Sequence, residues 1–355
     1  MTNEIGGYAD WPRFVRERPL LGGDDWANRA AVLLGVPEPL RPPEPRVVGS
    51  WSVVAGGVRV RTTELAWQVG FGPDLHAYLL HPDGTDPAVL PGLLALHSHG
   101  GIKSVGAARM ISPPADRTAT DDSAAGAHFA TRAAARGWTV LAPDAFSWGS
   151  RRFVFDPVPD KLAPYADLLE RAGEPAATRY DSLAAIHEHL LAKFAGVLGT
   201  SFAGMVAHDD LSALAVLRGL CDGPLAVAGF SGGGGRAISV SALAGVERVA
   251  VVAMMATFDS LIPDHVATHS WLLNTPGLAR AVELPVLAAN RTDQRLLVVY
   301  GERDPLFPLA GMQAAHRELT RLFQGASGSY RGLFLDAGHE FEPPAQDRVL
   351  DFLVG

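Results

Sequence analysis

The sequence predicts an α/β fold in which a mostly parallel sheet is covered by helices on both faces. Two observations carry that expectation. Continuous apolar runs, rather than alternating ones, recur along the chain and are separated by segments of helical composition. One of those runs, Leu225-Ala226-Val227-Ala228, leads directly into Gly229-Phe230-Ser231-Gly232-Gly233, a Gly-x-Ser-x-Gly sequence. Small residues around a serine permit the sharp strand-to-helix turn that exposes its hydroxyl at a helix N-terminus.

Taken in order, residues 1–49 read as an N-terminal arm or cap, with a short helix over 26–34 and a proline-rich stretch over 37–45. Their periodicity is too sparse for an independent core. The main domain occupies 50–355. Residues 53–63 and 75–80 read as strands, and Gly92-Leu93-Leu94-Ala95-Leu96 as a fully buried one. The alanine-rich stretch 123–136 reads as a helix, Gly137 ends it, and Trp138-Thr139-Val140-Leu141-Ala142-Pro143 is the next strand, a βαβ signature. Helix 210–220, strand 225–228, an elbow helix through 236–242 and strand 249–253 continue the alternation. Strand 296–300, helix 309–323, strand 330–335 and helix 346–353 complete it. Around 152–206 the alternation breaks into prolines, charges and helical pieces. That insertion reads as a lid, an access-channel wall or surface elaboration.

A chain of 355 residues that is 48% hydrophobic can bury a large core, as one catalytic domain or two modest ones. A net charge of −8 without any Lys/Arg block leaves no electrostatic footprint for nucleic acid. The apolar run 88–96 is too short to cross a bilayer, so no membrane insertion is expected. Glu4, Asp10, Arg13 and Arg16 precede any apolar stretch of signal-peptide type, which makes a cytoplasmic location the expectation. Cys221 is the only cysteine, so an intrachain disulfide and a multi-cysteine zinc site are both excluded. It reads as helix-end packing.

Ser231 is the leading nucleophile. Glycine-rich turns containing serine are common, and the weight of this one comes from its partners. Asp304, in Gly301-Glu302-Arg303-Asp304-Pro305 after a strand, is placed to orient a histidine, with Glu302 or a purely local turn network as alternatives. His339, in Asp336-Ala337-Gly338-His339, sits in a turn where its imidazole can take and return a proton. The order Ser231, Asp304, His339 is that of serine nucleophiles built on parallel sheets. Oxyanion donors are expected from the backbone amides of Gly232 and His99, the latter in Leu96-His97-Ser98-His99-Gly100-Gly101. His97 and His99 also admit hydrogen-bonding, acid–base and metal-ligand readings. No third ligand stands at diagnostic spacing, and no His-Glu-x-x-His is present. Trp148 and Arg151 read either as substrate contacts or as aromatic packing and surface ion pairing. Asp209 and Asp210 read as helix caps or surface residues, with a metal or dyad role as the alternative.

These motifs together resemble the α/β-hydrolase superfamily, and within it bacterial acetyl-xylan-esterase-like and dienelactone-hydrolase-like enzymes, over residues 75–355. The resemblance implies the α/β-hydrolase fold and ester hydrolysis by Ser231, His339 and Asp304, with a short acyl group such as acetyl. A small-molecule or carbohydrate ester is the implied partner. Two departures stand out: many relatives have His-Gly where this chain has His97-Ser98, and dienelactone hydrolases carry cysteine at the elbow. Lactone, amide and thioester substrates suit the same chemistry, and a catalytically inactive hydrolase-like binding protein is the competing class. The serine mechanism needs no cofactor. Nicotinamide binding is disfavoured by the lack of Gly-x-Gly-x-x-Gly in the first βαβ unit. A homo-oligomer is compatible with all of these readings.

Overall fold

The computed structural model describes residues 7, 8, 10, 11, 14, 26–38, 44–114 and 126–355. Glu4, Arg13, Arg16, the middle of the proline-rich stretch (39–43) and residues 123–125 of the expected helix 123–136 lie outside the described residues.

Nine strands form one sheet in the order β1-β2-β3-β5-β4-β6-β7-β8-β9. They are β1 Arg46–Ala55, β2 Val58–Trp67, β3 Leu75–Pro82, β4 Gly92–Leu96, β5 Thr139–Pro143, β6 Leu225–Phe230, β7 Arg248–Val252, β8 Arg295–Gly301 and β9 Ser329–Leu335. β1, β2 and β3 pair antiparallel in sequence, and β3 pairs antiparallel with β5. From β5 through β4, β6, β7 and β8 to β9 every pairing is parallel. The sheet is thus mostly parallel.

The expected strand 53–63 is a hairpin instead. Gly56 and Gly57, with φ of 56° and 80°, turn β1 back onto β2, so that Val53 faces Val60 across the pair. Two left-handed residues in sequence make the tight turn whose twist matches antiparallel strands. The alternation of apolar and polar residues continues on both sides of the turn, which disguises it.

Side chains along the central strands alternate between two apolar layers. Leu94, Val227, Val249, Val251, Leu296 and Val298 face one layer. Leu93, Ala226, Ala228, Ala250, Val252 and Val299 face the other. The first layer is covered by α1 (Trp26–Leu34), α5 (Phe202–Leu220), α6 (Gly232–Ala244) and α7 (Leu309–Leu322), and the second by α2 (Phe129–Ala135) and α8 (Pro343–Val354). Two further helices, α3 (Ala163–Arg171) and α4 (Ala176–Leu198), lie in the expected insertion before α5. Ser201 begins α5 by accepting a hydrogen bond from Gly204 N at 2.9 Å and donating one to Leu34 O at 2.7 Å, which ties α5 to α1. No single helix among the described residues is long and apolar enough to cross a membrane.

The described part of the N-terminal arm is built into the first layer. Tyr8, Trp11 and Phe14 pack with Phe71, Phe146 and Phe153. Burying a phenylalanine in such a cluster contributes roughly 1.5–3 kcal/mol. At its centre lies Arg151, 0% exposed, whose guanidinium donates to Asp209 at 2.9 and 3.4 Å and to the carbonyls of Phe71 and Pro73. The Tyr8 hydroxyl donates to the Arg151 carbonyl. Burial raises the Asp209 pKa, but the Arg151 guanidinium and His208 together outweigh it and hold the carboxyl below its usual range. Asp210 pairs with Arg236 of α6 at 2.6 Å and is equally buried. The surface and capping readings of Asp209 and Asp210 are therefore corrected: both are interior counter-ions, each facing an arginine that the apolar core would otherwise strand.

Breaking such a pair leaves a bare buried charge. Arg151→Met is expected to cost about 3–5 kcal/mol in urea unfolding, with much of it recovered in Arg151→Met/Asp209→Leu. An unchanged unfolding midpoint in the single variant contradicts this account.

Candidate active site

β6 lies between β4 and β7, where the chain has wound β5 to one side of β4 and β6 to the other. In open parallel sheets a crevice forms at such a switch point, outside the carboxyl ends of the strands. Ser231 stands at that place. Its φ of 54° and ψ of −124° fall where side-chain-bearing residues rarely go, at a cost of about 1–3 kcal/mol. The surroundings hold it there: Ser231 N donates to Val252 O at 2.8 Å, and Gly234 N donates to Ser231 O at 2.7 Å. The flanking glycines are steric requirements. A Cβ on Gly229 would meet Gly233 O at 2.1 Å, and one on Gly233 would meet Leu96 O at 2.1 Å.

Asp304 follows β8 and is 6% exposed. Its Oδ1 accepts from Leu306 N at 2.9 Å, and its Oδ2 accepts from His339 Nδ1 at 2.7 Å. With Nδ1 carrying the proton, His339 Nε2 is the acceptor for the Ser231 hydroxyl, 2.7 Å away. The ring lies against Phe230, with centroids 4.9 Å apart. Glu302 is exposed, and Arg303 pairs with Asp336 at 2.8 Å on the outside of the turn. Asp304 is thus the carboxylate that reaches His339.

The second half of the site is the turn after β4. A Cβ on Gly232 would lie 2.8 Å from His99 N, so the two amides border one small volume beside Ser231. Neither amide has an acceptor among the described residues. His97 Nδ1 lies 2.9 Å from Ser98 O. A carbonyl only accepts, so Nδ1 is protonated and pins the peptide whose other end is His99 N–H. Burial, reinforced by Arg236 and Arg109, pushes the His97 pKa well below its ordinary value, keeping the ring neutral. Arg236 Nη1 donates to His97 O at 3.1 Å, joining α6 to the same turn. The metal reading of the two histidines does not fit these partners: His99 is engaged by Glu188 and by Gly101 N, and no group of three potential ligands converges among the described residues.

A cleft of about 380 Å³ opens over Ser231, Gly232, His99 and His339. Its walls include Ala185, Glu188 and His189 from α4, and Trp271, Leu272 and Phe307. Two larger hollows, about 620 Å³ each, contain neither Ser231 nor His339, so size does not decide where the chemistry lies. The insertion supplies a wall of the cleft over Ser231.

Two expected substrate contacts are not in that cleft. Arg151 is sealed in the core with Asp209, and Trp148, 1% exposed, packs on His97, His99 and Phe202. The Trp148 indole donates to His99 O at 3.2 Å, so it braces the turn after β4 from behind. Cleft residues that the motifs did not indicate are Glu188, His189, His269 and Trp271. Trp271 Nε1 donates to His189 Nδ1 at 3.1 Å at the rim. His269, whose pKa burial lowers, donates from Nε2 to Leu306 O at 3.1 Å.

No protein-family model and no curated protein matches the chain. Solved structures do. A candidate acetyl xylan esterase from Bacteroides fragilis NCTC 9343 superposes with a TM-score of 0.54 at 14% identity, covering 91% of this chain and 74% of its own. A methylesterase gives 0.53 at 17% identity, covering 99% of this chain, which spans only 63% of that protein. A glucuronoyl esterase from Solibacter usitatus gives 0.51 at 13%, with 95% and 89% covered. Together with the strand order these likenesses show the α/β-hydrolase fold.

Gly232→Ala would push a methyl to within 3.1 Å of Leu272 and onto the His99 amide. The expected result is a folded protein whose Ser231 reacts about 100-fold more slowly with an organofluorophosphonate, followed by labelling rate. Labelling at the unaltered rate contradicts the assignment of this volume as an anion hole.

Proposed function

We propose that the protein is a serine-dependent carboxylic ester hydrolase acting on short-acyl, acetyl-type esters. The observation that carries this reading is the continuous relay from Asp304 Oδ2 through His339 to Ser231 Oγ, with 2.7 Å at each link, next to two unengaged amides.

His339 Nε2 takes the Ser231 proton as Oγ attacks the ester carbonyl, and buried Asp304 stabilises the imidazolium that forms. Negative charge developing on the carbonyl oxygen is met by the Gly232 and His99 amides, which need no reorganisation because the elbow and the His97 bond already aim them. Collapse returns the proton from His339 to the departing alcohol and leaves an acyl group on Ser231. Water, deprotonated by the same Nε2, then releases the acid. Lactone, amide and thioester carbonyls suit the same machinery.

Leu272 closes over Gly232 beside the attack site, which favours a small acyl group. The rim is polar and aromatic, with His189, Ser270 and half-buried Trp271, and it suits a carbohydrate alcohol. The acetyl xylan and glucuronoyl esterases of this fold agree with that choice.

Ser231→Ala is expected to lower turnover of an activated acetyl ester by about 10⁴-fold or more while circular dichroism stays native. Undiminished turnover in the folded variant removes the serine mechanism. Wild-type kcat/KM is expected to fall by about 100-fold or more from acetyl to octanoyl esters of one alcohol, because the longer chain has no room beside Leu272. Equal or rising values with acyl length contradict the short-acyl reading.

A further inference from the structure

From the contacts around α4 we infer that Glu188 is a positioning residue, a buried carboxylate that locks the oxyanion turn to the cleft wall so that the His99 amide meets the developing charge. The inference rests on the ester-hydrolase reading and adds to it a cleft-wall residue whose partners are His99, Lys103 and Trp271 rather than the triad.

The side chain of Glu188 is 5% exposed. Oε2 accepts from His99 Nε2 at 2.9 Å and from Lys103 Nζ at 2.5 Å, while Oε1 accepts from Trp271 N at 3.0 Å. One carboxylate thereby joins the turn after β4, the insertion helix and the segment forming the far wall of the cleft. Burial pushes its pKa up, but the Lys103 ammonium and His99 more than offset this and hold the carboxyl well below the ordinary carboxylate range. Three donors occupy its oxygens, which leaves it unsuited to proton transfer and suited to holding things in place.

His99 is gripped at both ring nitrogens. Nε2 donates to Glu188, and Nδ1 accepts from Gly101 N at 3.1 Å. The ring is thus neutral, with its proton on Nε2; moving that proton to Nδ1 would set two donors against each other. Around it the backbone is intrinsically loose, since Gly100 and Gly101 follow with φ of 58° and 66°. The stiffness of the turn therefore comes from side chains: His97 pins the peptide before His99, Trp148 holds the carbonyl after it, and Glu188 anchors the ring itself. Lys103 completes the network by donating to Ser147 Oγ at 2.8 Å and lying over the Trp148 ring at 4.3 Å.

Removing the anchor should act on the transition state more than on substrate binding, because the His99 amide matters when charge reaches the oxyanion. Glu188→Gln isolates this effect. Its Oε1 still accepts from Trp271 N, whereas its amide N–H groups face the His99 and Lys103 donors. The expected result on a short-acyl ester is a kcat loss of about 10–100-fold with KM within about 3-fold of wild type. His99→Ala, which keeps the backbone amide, should lose a similar amount, and Glu188→Gln/His99→Ala should be no worse than either single variant.

A companion variant, Glu188→Leu/Lys103→Met, replaces the buried pair with apolar volume so that the fold is retained. In it, amide hydrogen exchange over residues 97–101 should rise at least about 10-fold while α6 keeps its protection. Wild-type kcat in both Glu188 variants, a change in KM alone, multiplicative losses in the double variant, or unchanged exchange in the turn each overturn the inference. If the wild type hydrolyses no ester, the functional reading fails by itself, and the exchange measurement still decides whether Glu188 clamps the turn.

Discussion

The backbone of Ser231 is the constraint on which the rest of the site depends. A residue with a side chain is held at φ 54° and ψ −124° because β6 ends between two parallel neighbours and α6 begins at once. Its N–H is fixed by Val252 of β7, and Gly233 packs against Leu96 of β4, so the strain is distributed over three strands. A turn this sharp raises the hydroxyl above the sheet edge while directing the following amide, that of Gly232, into the same space. One piece of geometry therefore sets both the proposed nucleophile and half of the proposed anion hole.

Around this turn the interior is unusually polar. Asp210 and Arg236 link α5 to α6 and then to the His97 carbonyl; Asp209 and Arg151 link α5 to the aromatic cluster of the N-terminal arm; Glu188 and Lys103 link the insertion to the turn after β4. Buried pairs of this kind add little net stability over apolar packing. They do penalise any arrangement in which one partner is displaced, and here the partners lie on elements that build the cleft. Arm, insertion and elbow are thereby held in one register.

Much of this was legible in the chain. Ser231 and Asp304 each follow a buried apolar strand in a short turn, and His339 follows the half-exposed edge strand β9, so the parallel-sheet topology that the runs imply also brings the three side chains to one edge. The five inner parallel strands, β4 to β8, were readable because burial on both faces removes most polar residues, whereas the edge strand β9 is only partly buried. The hairpin at Gly56-Gly57 was not, since alternation persists through both strands. Arg151 and Trp148 looked like pocket residues because they follow a strand end, where ligands gather. What the sequence does not display is the covering of Arg151 by Tyr8 and Phe71, more than 70 residues away. Glu188 carried no signal at all: a glutamate between two histidines on a helix is ordinary, and its partners His99, Lys103 and Trp271 are tertiary neighbours.

The proposed mechanism requires Ser231 to become acylated during turnover. Mixing the enzyme with an activated acetyl ester, quenching in acid during the first turnover and mapping the mass change by peptide sequencing tests it most directly. One acetyl group on Ser231 is expected, accumulating with a burst of released alcohol and disappearing as substrate is exhausted. Rapid ester turnover with unmodified Ser231, or with the acetyl group passing through another side chain, contradicts it.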